Sequence, residues 1–432
     1  MIRTLFTNVN VLDCTGAPPF AGQVLVEGNR IAAVAPAGVL IASDGAMRID
    51  GRGGTLMPGL IEPHSHLSFA DTAASVELGF IPPEEHMLIT ARNAKRMLDQ
   101  GFTSCNSAAS AKARLDIALR NAIDAGEFPG PRTLAASPEM TVTAGLGDVR
   151  LGHLYRENFA VILDGAEAFR KFSREMCREG VDTLKINVSG DAGTPASPAE
   201  TTVMTEAEID AVCDVARAHG RRVAAHARSA QSVILCVKHG VDIIYHATLC
   251  NDEALDCLVA ARDRVFVAPV LGHLYATLHE AGAWGVTPAM GRARGLDREI
   301  EGGIAGMRAL RDRGVRVLPG GDYGFAWNPI GANARDIEHF VNLLGWSPME
   351  AIMSATKLGG EIMMKGDELG QVRVGFLADL LLVDGDPLGD VAILRDASRL
   401  KAIMKDGEFH KAMAIDAASL CVPLGCCLDV TP

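Results

Sequence analysis

Hydrophobic and polar positions alternate with two different periods through the middle of this chain. From residue 59 to about 366, short apolar runs of strand length are separated by longer segments of helical period, which is typical of repeated β-α units around a parallel sheet. Eight runs can be counted: the run that ends at residues 64–66, and residues 102–105, 132–136, 183–188, 222–226, 242–246, 265–269 and 315–322. Eight strands that alternate with helices predict an α/β fold, a (β/α)₈ TIM barrel.

The two ends of the chain have a different pattern, because strand-like runs follow one another there. Residues 7–13 and 22–34 predict strands with a hairpin turn at Gly28-Asn29, and residues 370–384 and 401–407 predict strands again. Neither end has enough strands to be stable alone, so we predict that both ends pair into one small β-sandwich domain. The predicted domains are 1–58 (N-terminal part of the β-domain), 59–366 (barrel) and 367–432 (C-terminal part of the β-domain and a tail).

Two helix starts in the barrel segment are marked by capping boxes. Thr205 is followed three residues later by Glu208, and Ser347 is followed by Glu350, with Pro348 at the first helical position. In this pattern the two side chains bind backbone N–H groups that the first turn of a helix leaves free. We therefore predict that helices begin at these two points.

Composition and charge argue against nucleic-acid and membrane partners. The chain has 432 residues and a net charge of −12, and it has no basic stripe that would neutralise phosphates, so we expect no nucleic-acid partner. No apolar run is long enough to cross a bilayer, and the N-terminus lacks the organisation of a signal peptide. We therefore expect no membrane partner and a cytoplasmic location. Ten cysteines without Cys-x-x-Cys pairs indicate free thiols.

The first candidate functional residues are His64 and His66, at the end of the first barrel strand. Residues i and i+2 of a strand point to the same side, so both imidazoles can reach one point, as metal ligands do. Taken alone, the two histidines could also be ordinary polar residues where a strand meets a loop. The later barrel strands decide between these interpretations.

Four more residues with ligand or proton-transfer chemistry lie on later strands. Lys185 lies inside the apolar fourth strand, His226 and His246 end the fifth and sixth strands, and Asp322 ends the eighth. Each has an ordinary alternative: Lys185 could pair with Asp182, the two histidines could be core residues, and Asp322 could start a turn. Because barrel enzymes keep their sites at the carboxyl ends of the strands, the joint pattern favours a metal site.

In these residues and their order the chain resembles the amidohydrolase superfamily. Four further stretches resemble one branch of it, which holds imidazolonepropionase-like hydrolases, Xaa-Pro dipeptidases with a carboxylated lysine, phenylurea and molinate hydrolases, and ochratoxin-type amidohydrolases. The four stretches are residues 143–148, 226–229, 245–247 and 333–338.

The resemblance implies a binuclear metal centre. One divalent ion would be held by His64, His66 and Asp322, the second by His226 and His246, and both by a carboxylated Lys185 that bridges them. Zn²⁺ is the ion expected for such nitrogen and oxygen ligands, and Mn²⁺, Co²⁺ or Fe²⁺ would also fit. A hydroxide that bridges the ions would attack the scissile carbonyl while Asp322 moves its proton, so Asp322 and Lys185 are the predicted catalytic residues. The family resemblance also implies a homo-oligomer.

Loops at the catalytic end supply the predicted substrate contacts. Their tryptophans favour an apolar or aromatic small-molecule substrate, although aromatic residues in long loops more often pack the loops themselves. His153 and His273 could hydrogen-bond the substrate carbonyl or the tetrahedral oxyanion. Arg228 could clamp a substrate carboxylate or pair with a neighbouring acid. The full set of predicted contacts is His153, Arg228, Tyr245, His273, Trp284, Tyr323, Phe325 and Trp327.

Three functions are compatible with the sequence. The first is a metal-dependent hydrolase that cleaves an amide or urea-type C–N bond of a small, largely apolar or aromatic molecule. The second is an Xaa-Pro dipeptidase or an N-acyl amino acid deacylase, which Arg228 would serve. The third is an inactive scaffold of the dihydropyrimidinase-related kind, and the complete set of predicted ligands argues against it.

Overall fold

The polypeptide begins with five strands of a terminal β-domain. A computed structural model describes residues 2–194 and 196–413, and the predicted tail beyond residue 413 lies outside the described residues. The strands are β1 (Arg3–Val11), β2 (Phe20–Glu27), β3 (Arg30–Pro36), β4 (Met47–Asp50) and β5 (Thr55–Pro58). The predicted turn between β2 and β3 is confirmed, and its Gly28 has a φ of 59°.

The barrel is built from parallel strands between residues 60 and 317. These are β6 (Leu60–Ser65), β7 (Phe102–Ser107), β8 (Arg132–Leu134), β9 (Ala136–Thr141), β10 (Val161–Ile162), β11 (Thr183–Asn187), β12 (Arg222–Ser229), β13 (Ile243–Leu249), β14 (Phe266–Ala268) and β15 (Arg316–Val317). The first three form one sheet and the others a second, in which β10 lies outside β9. A parallel bridge between Ser65 and Tyr323 joins the first strand to the chain that follows the eighth. The third strand consists of β8 and β9, and the predicted (β/α)₈ barrel is confirmed.

The C-terminal strands complete the β-domain. They are β16 (Leu380–Val383), β17 (Leu400–Lys405) and β18 (Glu408–Lys411), and the sheet runs in the order β18-β17-β16-β5-β1-β2-β3, with β4 beside β1. Strands from both termini thus share one mixed sheet, which confirms a β-domain formed from both ends. The predicted strand over 370–384 is wrong for residues 370–379, because Gly370 and Gly375 each have a φ of 89°, which extended backbone does not allow.

Helices follow most of the barrel strands. They are α1 (Glu77–Phe80), α2 (Pro83–Asp99), α3 (Leu115–Asp124), α4 (Ala166–Glu179), α5 (Glu206–Ala218), α6 (Ala230–His239), α7 (Asp252–Ala260), α8 (Leu271–His279), α9 (Pro288–Ala293), α10 (Leu296–Asp312), α11 (Arg335–Asn342), α12 (Pro348–Ser354) and α13 (Lys357–Ile362), with 3₁₀ helices at Ala281–Trp284 and Val391–Arg395. Both predicted capping boxes are confirmed, at the starts of α5 and α12. Within residues 2–194 and 196–413, no helix is long and apolar enough to span a bilayer.

The main core lies between the barrel strands and the helices around them. Successive strand residues point to opposite faces, and β13 shows the result. Ile244 packs in the large cluster with the helices, whereas Ile243 packs in a second cluster with Ile61 of β6 and Leu318, which follows β15. Apolar side chains therefore fill the barrel interior below the site. The polar side chains of the site lie at the carboxyl ends of the strands.

Candidate metal centre

Three predicted ligands, His64, His66 and Asp322, meet where the first strand adjoins the end of the eighth. The Nε2 atoms of the two histidines are 3.2 Å apart, and Oδ1 of Asp322 lies 2.9 Å from Nε2 of His66 and 3.4 Å from Nε2 of His64. The two histidines are buried, and 13% of the Asp322 side chain is exposed. Two imidazole nitrogens and a carboxylate oxygen at this spacing can bind one divalent cation.

Two glycines allow the chain that follows the eighth strand to approach His64. A Cβ atom on Gly320 would lie 2.8 Å from Cβ of His64, and one on Gly321 would overlap the ring of Tyr323. Asp322 itself has a φ of 55°, a left-handed conformation that costs a residue other than glycine about 1–3 kcal/mol. The Gly-Gly-Asp sequence does turn the chain, and the turn is what places the Asp322 carboxylate against both histidines.

His226 and His246 lie beside this group, in β12 and β13, and both strands continue three residues beyond the predicted ends. Their ring centroids are 4.1 Å apart, and the ring of His246 is 5.7 Å from that of His64. His226 donates its Nε2–H to the carbonyl of Gly190 at 3.0 Å, so Nδ1 keeps the lone pair. In a regular strand His246 would face the helices, as Ile244 does, but its φ of 77° turns the ring towards the site. Its buried Nδ1 has no hydrogen-bond partner within the described residues.

Lys185 is buried in the fourth strand among these groups. Its Nζ lies 3.8 Å from Oε1 of Glu139 and 5.1 Å from the ring centroid of Tyr245. Asp182, the partner considered from the sequence, pairs instead with Arg120 at 2.7 Å. Burial lowers the pKa of Lys185, and the nearby Glu139 opposes that shift. A lowered pKa favours the neutral amine, which is the form that reacts with CO₂, and the carboxylation itself stays a prediction.

Glu139 is a site residue that the sequence prediction missed. It lies on β9 opposite Lys185 in the strand pairing, and its Oε2 accepts a hydrogen bond of 2.9 Å from Nδ2 of Asn187. The predicted third strand ends at residue 136, whereas β9 continues to Thr141 after a break at Ala135. The sequence signal for Glu139 is a carboxylate inside the largely apolar run 134–142. A charged residue inside an apolar strand is also the feature that identified Lys185 in β11.

Burial sets the protonation of the candidate ligands. It lowers the pKa of His64 to about 3 and also lowers the pKa values of His226 and His246. Burial alone would raise the pKa of Asp322, but the adjacent His64 and His66 outweigh it and hold that pKa well below its usual range. Neutral imidazoles and an ionised carboxylate are the forms that bind a cation. The residues present therefore fit divalent cations.

Arg228 is a buried arginine held by two acids. Only 1% of its side chain is exposed, Nη2 lies 2.7 Å from Oδ2 of Asp191, and Nη1 lies 2.7 Å from Oε2 of Glu299. Thr248 donates a further hydrogen bond of 2.9 Å to Glu299. The pairing alternative is thus the arrangement in the structure, and a contact of Arg228 with a substrate carboxylate stays a prediction. Both terminal nitrogens of the guanidinium are thus occupied by carboxylates.

Three predicted substrate contacts, Phe325, Trp327 and Trp284, form an aromatic cluster beside His273. The ring centroid of Phe325 is 4.6 Å from that of His273 and 5.9 Å from that of Trp327, which is 6.2 Å from Trp284. The indole N–H of Trp327 is bound by Thr277 at 2.9 Å, whereas Trp284 is 44% exposed. The aromatic cluster therefore extends from a histidine near the ligands to the protein surface.

The other predicted contacts lie at different depths. His273, on α8, is half-buried; burial lowers its pKa, and its Nδ1 has no partner within the described residues. Tyr245 and Tyr323 are fully buried, and Tyr245 donates to a backbone carbonyl of the first strand while its ring lies 3.9 Å from that of His64. His153 is exposed on a loop. Tyr245 thus supports His64, and substrate contacts of all four residues stay predictions.

Asp336, buried against Gly272 and Gly321, is expected to make the protein less stable as the pH rises. Burial raises the pKa of its carboxyl from 3.8 to about 7. The folded protein then binds a proton that the unfolded chain has released, so stability falls between about pH 4 and pH 7. At pH 8, Asp336→Asn should therefore raise the free energy of unfolding by no more than about 4 kcal/mol, and the Tm should rise with it. The gain should shrink towards pH 5. Calorimetry at both pH values measures this, and an equal gain at both would contradict it.

Fold and site together define a (β/α)₈-barrel hydrolase whose polar side chains converge at the carboxyl ends of its strands. The profile of the amidohydrolase family matches residues 55–410, and the chain belongs to this family. It is accordingly an enzyme that acts on C–N bonds. The resemblance to this superfamily and to the branch named above is confirmed.

Two curated relatives and one solved structure illustrate the similarity. The chain is 23% identical over 381 residues to ochratoxinase of Aspergillus niger, with 83% of this chain and 76% of the relative covered. It is 24% identical over 406 residues to imidazolonepropionase of Rubrobacter xylanophilus, with 89% and 90% covered. A prolidase in complex with N-methylphosphonate-L-proline has a TM-score of 0.84 and 27% identity, with 95% of this chain and 100% of that chain covered. The similarity includes both the barrel and the β-domain.

Proposed function

We propose that this protein is a metal-dependent hydrolase that cleaves an amide or urea-type C–N bond of a small, uncharged substrate with an aromatic or apolar group. The observation that carries the proposal is the aromatic cluster, which adjoins His273 and extends to the surface. Such rings favour an apolar or aromatic substrate. Arg228 is already bound by two carboxylates, so its guanidinium is not free to receive a substrate carboxylate.

Two divalent ions, with Zn²⁺ as the first expectation, would be held by the ligands that the resemblance implies. These are His64, His66 and Asp322 for one ion, His226 and His246 for the other, and a carboxylated Lys185 for both. When bound, such ions acidify a water molecule and polarise the scissile carbonyl. The spacing of the first three side chains and the low pKa values of the histidines support this ligand set.

Asp322 is the residue that we propose moves the protons. Its carboxylate is ionised and is largely shielded from bulk water, so it can take a proton from the attacking water and give it to the departing nitrogen. The products are an amine and an acid, or a carbamic acid from a urea. His273 can donate a hydrogen bond to the tetrahedral oxygen, because its Nδ1 is otherwise unpartnered within the described residues.

A second candidate function is an Xaa-Pro dipeptidase or an N-acyl amino acid deacylase. The observation in its favour is the likeness to the prolidase structure, at 27% identity over nearly the whole chain. In this case Arg228 would have to release Asp191 or Glu299 to meet the substrate carboxylate. The inactive scaffold is disfavoured because all six predicted ligands are present. A chain that neither holds nor takes up a divalent ion would favour the scaffold.

The charge of the substrate separates the two enzyme candidates. We expect 4-acetamidotoluene to be hydrolysed with a kcat/KM at least about tenfold above that of 4-acetamidobenzoate, because Arg228, which is held by Asp191 and Glu299, offers no free cation to the carboxylate of the second anilide. Release of the aromatic amine measures both reactions, and Ala-Pro is the dipeptide in the same panel. A preference for the benzoate and for Ala-Pro would overturn the proposal in favour of the dipeptidase.

A further inference from the structure

The loop that follows β6, residues 67–72, packs against a candidate metal ligand. Phe69 of this loop stacks on the imidazole of His66, with ring centroids 4.1 Å apart and an interplanar angle of 23°. Phe69 also meets Phe325 edge-on, at 5.8 Å, and Phe159, at 6.0 Å. One side chain thus touches both the ligand group and the aromatic cluster. Its position affects the orientation of His66 and the shape of the cluster.

The same loop is joined to the loop after the eighth strand, residues 324–330. The backbone N–H of Ala326 donates to the carbonyl of Thr72 at 3.1 Å, and the N–H of Ile330 donates to Oδ1 of Asp71 at 3.1 Å. A Cβ atom on Gly324 would lie 2.6 Å from Cβ of Phe69, so the two loops are in close contact. Because residues 324–330 carry two members of the aromatic cluster, a shift of the first loop would move the cluster as well.

One face of α2 holds the first loop in place. Nδ2 of Asn93 donates two hydrogen bonds of 3.0 Å, to the carbonyls of Leu67 and Phe69. Along the same helix, His86 Nε2 binds the carbonyl of Ser68 at 2.5 Å, and Arg96 pairs with Asp71 at 2.7 Å. Asn93 and His86 are completely buried. Three consecutive residues, 67–69, and Asp71 are therefore bound by polar groups of one helix.

We propose that Asn93 is a positioning residue for substrate recognition: its amide holds residues 67–72 so that Phe69 stacks on His66 and shapes the aromatic cluster. An asparagine suits this role, because its one NH₂ group supplies two donors. They bind the backbone carbonyls of Leu67 and Phe69, and buried carbonyls need such partners. The part of the inference that concerns aromatic substrates rests on the proposed function. The part that concerns the loops does not.

The test compares Asn93→Asp with Thr90→Val in the full chain. Asn93→Asp keeps the size of the side chain and removes both donors. Thr90→Val is the matched control, because Thr90 is also fully buried on α2 but donates within the helix, to the carbonyl of His86. Hydrogen exchange should become at least about tenfold faster at the amides of 67–72 and 324–330 in Asn93→Asp, as expected for the loss of one or two hydrogen bonds. Thr90→Val should exchange like the wild type in both loops.

Kinetics provide the second readout. For the benzoyl and acetyl amides of methylamine, Asn93→Asp should raise KM about tenfold for the benzoyl amide and leave KM for the acetyl amide within about twofold, because only the first of them carries a ring for the aromatic cluster. A merely structural role would change both amides alike. If neither amide is hydrolysed by the wild type, the proposed function fails while the exchange data still decide whether Asn93 holds the loops.

Two results would overturn the inference. Unchanged exchange in both loops of Asn93→Asp would show that the amide does not hold them, and equally faster exchange throughout the barrel would show a general loss of stability. Asp71→Asn serves as a milder second variant, because it removes only the ion pair with Arg96 at a side chain that is 19% exposed. It should accelerate exchange in the same two loops, to a smaller extent, and acceleration elsewhere alone would also count against the inference.

Discussion

Replacing Lys185 by alanine is expected to lower kcat/KM by at least about 10³-fold, because the variant lacks the side chain proposed to hold both metal ions. The Lys185 side chain is 1% exposed, and Glu139 is its ion-pair partner at 3.8 Å. Activity and the metal content per chain should be measured together, and both are expected to fall.

Rescue by small acids separates a missing ligand from a damaged fold. Acetate or propionate at high concentration can enter the space that Lys185→Ala leaves and supply a carboxylate, so part of the activity should return. Lys185→Met is the matched control, because its side chain fills much of that space without a nitrogen. It should be equally inactive and should not respond to the acids. Full activity of Lys185→Ala would contradict the bridged centre and leave a single ion at His64, His66 and Asp322 as the better interpretation.

The barrel could be predicted because the signal for each strand is local. An apolar run that ends in a polar residue, such as the run before His226, identifies a barrel strand from about six residues of sequence. In a parallel barrel the polar ends of all such strands lie at the same edge. The prediction failed where the backbone departs from a regular strand. The eighth strand is a two-residue element, Arg316–Val317, and the chain beyond it leaves the sheet and turns at Asp322, which has a φ of 55°.

The missing parts of the site depend on distant partners. Arg228 and Glu299 are 71 residues apart, and no periodicity shows that they meet, so the sequence left the role of Arg228 open. Glu139 was missed for a related reason, since its meaning depends on Lys185 lying opposite in the neighbouring strand. His246 was predicted to end its strand, whereas it lies inside β13, and the positive φ that turns its ring inward has no sequence signal of its own. Long-range pairing and backbone strain are thus what the sequence could not supply.

Asp322→Asn is expected to lower kcat by about 10³-fold, because an amide cannot accept and return a proton, and general acid–base catalysis contributes about 10²- to 10⁴-fold. The two side chains have nearly the same size, so the contact of 2.9 Å with His66 can persist in part. KM should change much less than kcat, since Asp322 is proposed to act on the water and the leaving nitrogen. Steady-state kinetics from pH 5 to 9 measure both constants.

The metal content of Asp322→Asn shows whether a loss of activity comes from lost proton transfer or from lost metal binding. Activity that falls while both ions are retained assigns proton transfer to the carboxylate, whereas activity that falls together with the metal assigns ligation. Asp336→Asn is the matched control, because it makes the same substitution at another buried aspartate and should keep kcat within about twofold. If Asp322→Asn retained kcat within about tenfold of the wild type with its metal in place, proton transfer would have to come from another group. His273, whose Nδ1 has no partner within the described residues, would then be the next residue to replace.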